Sequence, residues 1–333
     1  MKRATVLPIV LYLLIAAQGH AQPGGHFRTV VTPLEGDDIA KPCEYGMDIP
    51  SLVTSVQGVF VIFERGPQSH TFYNNPEVQS FAKDHQLAML MPLHCAARQN
   101  EDMDVDPAKG LGRALFVALD QLAAETNHKE LKVVPAVFLG FSAAGALAAR
   151  MPGVAPQRTV AAVVSHAGQS PPLGLNTIEF SDESLAVPEL IIVGGKDRIV
   201  GTESAYSYFQ KYWLRGAPWL FATQNEAGHC CTLDAKELIL NWLDDVLSVR
   251  LKSKGSTLQA LRKTKGYYAF FQRVPTEFVD SGKRQILQQA TSPTFLPVTD
   301  TLQIGESVAG WLLSQKTGLQ WQSFVNLPSS KPQ

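Results

Sequence analysis

Apolar positions along the chain fall into two kinds of run. "GVFVIFE" from Gly58, "LAMLMPLH" from Leu87, "VPAVFLGF" from Val134, "TVAAVVSH" from Thr159, "ELIIVGG" from Glu189 and "PWLFATQ" from Pro218 are continuous. Unbroken short runs of this kind predict strands buried on both faces, which is the mark of a parallel sheet. Between them lie "NPEVQSFAKDHQ" from Asn75, "GLGRALFVALDQLAAETN" from Gly110, "AAGALAARM" from Ala143, "SAYSYFQKYWLRG" from Ser204 and "TLDAKELILNWLDDVLSVRL" from Thr232. Their apolar residues recur at three and four, and Gly216 and Thr232 stand where a helix stop and an N-cap belong. Strand, crossover helix and strand in alternation predict an α/β fold, a mostly parallel sheet with helices on both faces, whose ligands gather at the carboxyl ends of its strands.

Two ends of the chain read differently. "MKRATVLPIVLYLLIAAQGHAQ" has Lys2 and Arg3, an apolar run from Val6 to Ala17, and small residues at Gly19 and Ala21. This predicts a secretory leader, residues 1–21, cleaved after Ala21, because the apolar run is shorter than the roughly 20 residues of a spanning helix. The mature protein is then expected to be secreted or periplasmic, with no transmembrane segment. Residues 22–253 carry the alternating pattern and form the expected catalytic domain. Residues 254–333, entered through the basic, helix-friendly "LKSKGSTLQALRKTKG" from Leu251, hold Tyr267, Tyr268, Phe270, Phe271, Trp311 and Trp321. So many aromatic residues call for burial, which predicts a C-terminal extension packed on the core.

Composition adds exclusions. With 29 basic and 30 acidic residues and no long run of either sign, nothing favours a phosphate backbone, so no nucleic-acid partner is expected. Four cysteines, Cys43, Cys95, Cys230 and Cys231, would meet an oxidising compartment. A bond between the neighbours Cys230 and Cys231 is geometrically strained, which favours Cys43 or Cys95 joined to one of that pair. The connectivity stays open among these.

Chemistry concentrates at strand ends. In "VFLGFSAAGALAARM" a buried strand runs through Gly140 into Ser142 and then into an alanine-rich helix, and small residues on both sides suit a sharp corner that lifts a serine hydroxyl out. Ala144 stands where a second glycine is usual. "ELIIVGGKDRIVG" ends its strand at Gly194-Gly195-Lys196-Asp197, and the next strand leads into "NEAGHC", with His229 in the turn. Serine, aspartate and histidine thus arrive in the order and at the places a hydrolytic triad needs. Asp182 and Asp234 directly follow no buried strand and are weaker candidates for the acid. Ser142 is read as nucleophile, His229 as general base and acid, and Asp197 as the group orienting the imidazole. The oxyanion would take the N–H of Ala143 and one from "ERGPQS", where Arg65 or Gly66 can donate and Pro67 cannot. His94 and His166 also end buried strands and are candidate pocket-lining residues. The mixture of His94, Cys95, His166, His229 and Cys230 shows no close ligand pair, so no metal is assigned. "NEDMDVD" from Asn100 lacks the glycine and closing glutamate of a calcium loop and reads as solvated.

From about Thr29 to Leu251 the chain resembles the α/β-hydrolase superfamily. "VIFERGPQS", "GFSAAGALAARM", "IIVGGKDRIV" and "NEAGHC" look most like secreted esterases of the polyhydroxybutyrate depolymerase and feruloyl esterase-like branch. The resemblance implies hydrolysis of small or polymeric carboxylic esters through an acyl-enzyme, without metal or cofactor. One departure stands out: Glu64-Arg65 replaces the His-Gly usual after the third strand. The same triad serves peptidases and acyltransferases, and a binding protein that has kept only the fold is the remaining alternative.

Overall fold

Strand β3 (Gly58–Ile62) shows why the sheet is covered twice. Phe60 and Ile62 enter one buried cluster with Phe72, Val78, Trp242 and Leu243, while Val59 and Val61 enter another with Leu115, Leu119 and Leu147. Successive strand side chains point to opposite faces, so an unbroken apolar run must be covered on both. The computed structural model describes residues 24–98, 105–168, 174–251, 258–278, 286–299 and 308–330. The expected leader, residues 1–21, and most of "NEDMDVD" lie outside the described residues.

The other strands are β1 (Gly25–Val31), β2 (Cys43–Ile49), β4 (Leu87–Leu93), β5 (Ala136–Phe141), β6 (Thr159–Ser165), β7 (Glu189–Gly194), β8 (Leu220–Gln224), β9 (Tyr267–Phe278), β10 (Ile286–Pro297) and β11 (Val308–Leu312). Helices are α1 (Gly66–Tyr73), α2 (Pro76–Asp84), α3 (Leu111–Thr126), α4 (Ala143–Val154), α5 (Asp182–Leu185), α6 (Glu203–Trp213), α7 (Lys236–Arg250) and α8 (Gln315–Val325). Among the described residues one sheet holds all eleven strands, in the order β1-β2-β4-β3-β5-β6-β7-β8-β11-β9-β10. Strands β4, β3, β5, β6, β7 and β8 are parallel, and the additions at both edges are antiparallel. This is an α/β-hydrolase fold. Among the described residues no helix is long and apolar enough to cross a membrane.

Two features depart from the sequence reading. Residues 258–266 are turns and irregular chain rather than helix, with Gly266 at φ +99° leading into β9. The disulfides are Cys43–Cys95 and Cys230–Cys231, which corrects the expectation that Cys43 or Cys95 joins one of the neighbours. Cys43 opens β2, and Cys95 stands just past the end of β4. Those strands pair antiparallel with Glu44 opposite Leu93, which brings the two cysteine Cα atoms to 4.9 Å, an ordinary bridging distance. Cys230 is left with its neighbour, and Cys231 adopts a left-handed backbone, φ +70°, beside it.

Beyond α7 the chain continues the sheet itself. Strand β11 pairs with β8 and β9, and Trp311, Leu312, Trp321, Phe324 and Val325 join the same buried cluster as the parallel strands. The α6 aromatics Tyr206, Tyr208, Phe209, Tyr212 and Trp213 are buried in that cluster too. Each such side chain contributes about 1.5–3 kcal/mol through its removal from water.

One buried polar group opposes this core. Glu189, at the start of β7, is fully buried; Tyr208 Oη donates to its Oε2 at 3.0 Å, and its Oε1 has no partner. Burial raises its carboxyl well above the ordinary range, and the Tyr208 hydrogen bond offsets only part of that. The folded protein therefore retains a proton that the unfolded chain releases near pH 4.3, so the group's ionisation leaves folding unopposed below about that pH and opposes it increasingly above. Glu189→Gln is expected to raise the urea midpoint relative to wild type at about pH 8, and the gain is expected to vanish near about pH 4. An equal difference at both pH values would rule out ionisation as its source.

Candidate functional site

Six parallel strands, β4, β3, β5, β6, β7 and β8, end side by side, and the candidate residues stand on the loops that follow them. Register places Ile62 beside Leu139, Phe141 beside Ser165, and Gly194 beside Gln224. Ser142 follows β5, His166 follows β6, Asp197 follows β7 and His229 follows β8. The chain leaves β5 through a corner in which Ser142 takes φ +58° and ψ −126°, a strained conformation for a residue with a side chain. Its N–H donates to Ser165 O at 2.9 Å, anchoring the corner to the next strand. Helix α4 then starts so close to β5 that a β-carbon on Gly140 would lie 1.8 Å from Ala144 O. Only glycine fits there.

The loops after β7 and β8 are laced together by their backbones. Gly195 N–H donates to Gln224 O and Lys196 N–H to Ala227 O, each at 2.8 Å. A β-carbon on Gly194 would stand 2.4 Å from Gly228 O, so glycine is needed for this close approach as well. The result is a continuous chain of hydrogen bonds. Ser142 Oγ lies 2.9 Å from His229 Nε2, and His229 Nδ1 lies 2.7 Å from Asp197 Oδ2. The other Asp197 oxygen accepts the N–H groups of Ile199 and Val200 at 2.9 and 3.0 Å. Burial pushes the Asp197 carboxyl up, but hydrogen bonding and attraction from His229, with the Val200 N–H, outweigh it and leave the group below its ordinary value. It is therefore an anion facing the imidazole. Neither rival acid occupies this place: Asp234 accepts from Gln224 Nε2 and the Ser330 N–H, and Asp182 lies in the first turn of α5.

His166 is buried against the triad. Its ring meets that of His229 edge-on, with centroids 6.1 Å apart, and Phe141 lies against both rings. Nδ1 is 3.0 Å from Ser165 Oγ, while Nε2 is buried without a partner. Burial, helped by the charge of His229, pushes the His166 imidazole down to about 4 despite Asp197 and Asp234, so it is neutral near neutral pH. His94 is different: its side chain is exposed, and its N–H donates to Glu64 Oε2 at 3.0 Å. The other Glu64 oxygen lies 3.0 Å from His70 Nε2. Glu64 thus clamps the end of β4 to α1, and no hydrogen bond or ring contact among the described residues joins His94 to the triad.

Two of the candidate backbone donors open helices. The N–H of Ala143 begins α4, and that of Gly66 begins α1; neither has an acceptor inside its own helix. Arg65 N–H, the other candidate from "ERGPQS", donates to Ser69 Oγ at 2.5 Å and is occupied. Three residues close to this assembly are not marked by the sequence as part of a site: Gln68, whose Oε1 accepts the Thr232 N–H at 3.1 Å, Thr232 itself, which the sequence marks only as an N-cap and which instead opens a 3-10 turn before α7, and Ser165, whose Oγ is 3.3 Å from Thr232 Oγ1. All four cysteines are in disulfides, and among the described residues no group of three or more His, Cys, Asp or Glu is placed to hold a metal.

No family model and no curated protein sequence matches the chain. Solved structures similar to it include the substrate-bound fluorophosphonate-binding serine hydrolase F of Staphylococcus aureus, 13% identical, with a TM-score of 0.45, over 68% of this chain and 99% of that one. A ferulic acid esterase is 11% identical, with a TM-score of 0.46, over 66% of this chain and 95% of that one. An S-formylglutathione hydrolase from Agrobacterium tumefaciens is 12% identical, with a TM-score of 0.46, over 71% of this chain and 97% of that one.

The corner makes a stability prediction. Gly140→Ala is expected to cost about 2 kcal/mol or more, or to prevent folding, because the helix start must move away from the strand. Gly153→Ala, whose β-carbon would meet only the Phe180 ring at 3.6 Å, is expected to be neutral or mildly stabilising. Thermal unfolding of the two variants checks this, and similar melting temperatures would contradict the crowding argument.

Proposed function

We propose that the protein is an exported serine hydrolase that cleaves carboxylic esters through an acyl-enzyme. The observation that carries this reading is the hydrogen-bonded line Ser142 Oγ, His229 Nε2, His229 Nδ1 and Asp197 Oδ2, with spacings of 2.9 and 2.7 Å. A nucleophile in contact with a base, and the base oriented by a buried anion, is the arrangement that acyl transfer requires. Ser142 Oγ attacks the ester carbonyl carbon as its proton passes to His229 Nε2, and the carbonyl electron pair moves onto oxygen. Asp197 keeps the imidazole proton on Nδ1 and stabilises the imidazolium. The oxyanion takes the N–H groups of Ala143 and Gly66. Collapse then breaks the bond to the alcohol, which leaves with the proton from His229, and the acyl group stays on Ser142. Water repeats the sequence with His229 as base, releasing the acid and restoring the serine. The two disulfides support an oxidising location and with it the leader reading of residues 1–21.

A fluorophosphonate probe is expected to label wild-type protein and to leave Ser142→Ala unlabelled. Short-chain nitrophenyl esters are expected to be hydrolysed in preference to peptide amides, and His229→Ala is expected to lower kcat by about a thousandfold or more. Folded wild-type protein that takes no label would refute catalysis. Faster cleavage of amides would reassign the chain to the peptidases.

A further inference from the structure

The three loops that must cooperate follow three separate strands, β3, β5 and β8; β3 and β5 pair directly, but β8 reaches them only through β7 and β6. A line of hydrogen bonds joins the loops themselves. Ser142 N–H donates to Ser165 O at 2.9 Å, Ser165 Oγ lies 3.3 Å from Thr232 Oγ1, and Thr232 N–H donates to Gln68 Oε1 at 3.1 Å. The line runs from the nucleophile's corner, across the end of β6, to the loop of His229, and finishes on α1. Gln68 stands in the first turn of α1, two residues after Gly66.

Thr232 is buried and opens a short 3-10 turn, Thr232–Ala235, so its N–H has no acceptor within that turn. A buried N–H must find a partner elsewhere, and the one it finds is a side chain from another loop. Resting on the esterase reading above, we propose that Gln68 is a positioning residue: by accepting the Thr232 N–H it latches the oxyanion loop to the histidine loop and holds the Gly66 N–H in register with Ser142. The contact reaches across 164 residues of sequence, so its strength is available for holding the loops rather than for building either one. A donor in an oxyanion hole works only within hydrogen-bond distance of the developing charge, so a small displacement of α1 costs rate without costing substrate affinity. Ser69 completes the local frame, since its hydroxyl accepts from Arg65 N–H and donates to Gly66 O at 3.1 Å.

The test uses the full mature chain with Gln68→Met, which keeps side-chain length and removes the acceptor, and Gln68→Ala, which removes the arm. Both are expected to lower kcat on a nitrophenyl ester by about tenfold or more, with KM within about threefold of wild type. An aliphatic trifluoromethyl ketone adds to the serine and places an oxyanion in the hole, so its affinity is expected to fall by the same factor as kcat/KM. Melting temperatures are expected to stay within about 3 °C of wild type. A folded variant whose kcat is within about twofold of wild type overturns the latch. So does a loss confined to KM or to melting temperature with the ketone's affinity unchanged. Wild-type protein that hydrolyses no ester removes the underlying reading and the latch with it, whereas failure of the latch alone appears only in the ratio of variant to wild type.

Discussion

The site depends on one backbone corner. At Ser142 the chain must leave a buried strand and enter a helix within a single residue, and it does so at a positive φ that costs a non-glycine residue roughly 1–3 kcal/mol. The corner persists because its surroundings leave no alternative. Ser142 N–H is held by Ser165 O, and Gly140 admits α4 against the strand at a distance no side chain allows. The same strain that lifts the hydroxyl away from β5 presents the first N–H groups of α4 beside it. The places of the Ser142 hydroxyl and of the Ala143 N–H are thus two results of one conformation.

Electrostatics around that corner are arranged by burial. Asp197 is almost fully desolvated yet stays ionised, because two N–H groups and the His229 ring compensate it. His166, packed edge-on to the same ring, is driven the other way and held neutral. A neutral ring beside His229 fills space without adding a cation that would compete for Asp197. Of the two rings, that of His229 has a carboxylate as partner and that of His166 a serine hydroxyl.

How much of this the sequence disclosed follows from where each signal was stored. Strands buried on both faces write long apolar runs, so the ends of β5, β7 and β8, and with them Ser142, Asp197 and His229, could be read directly. Strand β1, "GHFRTVV", lies at the sheet edge, half exposed with polar residues on it, and carries no such signature. Without β1 and β2 the antiparallel pairing that brings Cys43 to Cys95 was invisible, and the disulfide expectation went wrong for that reason. Aromatic residues after Leu251 announced burial but not the sheet edge that accommodates them. Gln68 was hardest: a polar residue in a turn whose partner lies in a distant loop leaves no trace in spacing or hydropathy. Nothing in "ERGPQS" separates the Arg65 N–H from that of Gly66; the Ser69 hydroxyl, by accepting from Arg65, does.

Residues 325–329 bear on how the loop of His229 is held. Asn225 N–H donates to Val325 O, Gln224 Nε2 to the carbonyls of Leu327 and Pro328, and Ser329 Oγ lies 3.4 Å from Cys231 Sγ. These residues form the rear wall of the loop that carries His229. The loop that carries His229 is therefore held by residues roughly 100 positions further along the sequence, and it has this wall only once those residues have folded back onto the end of β8.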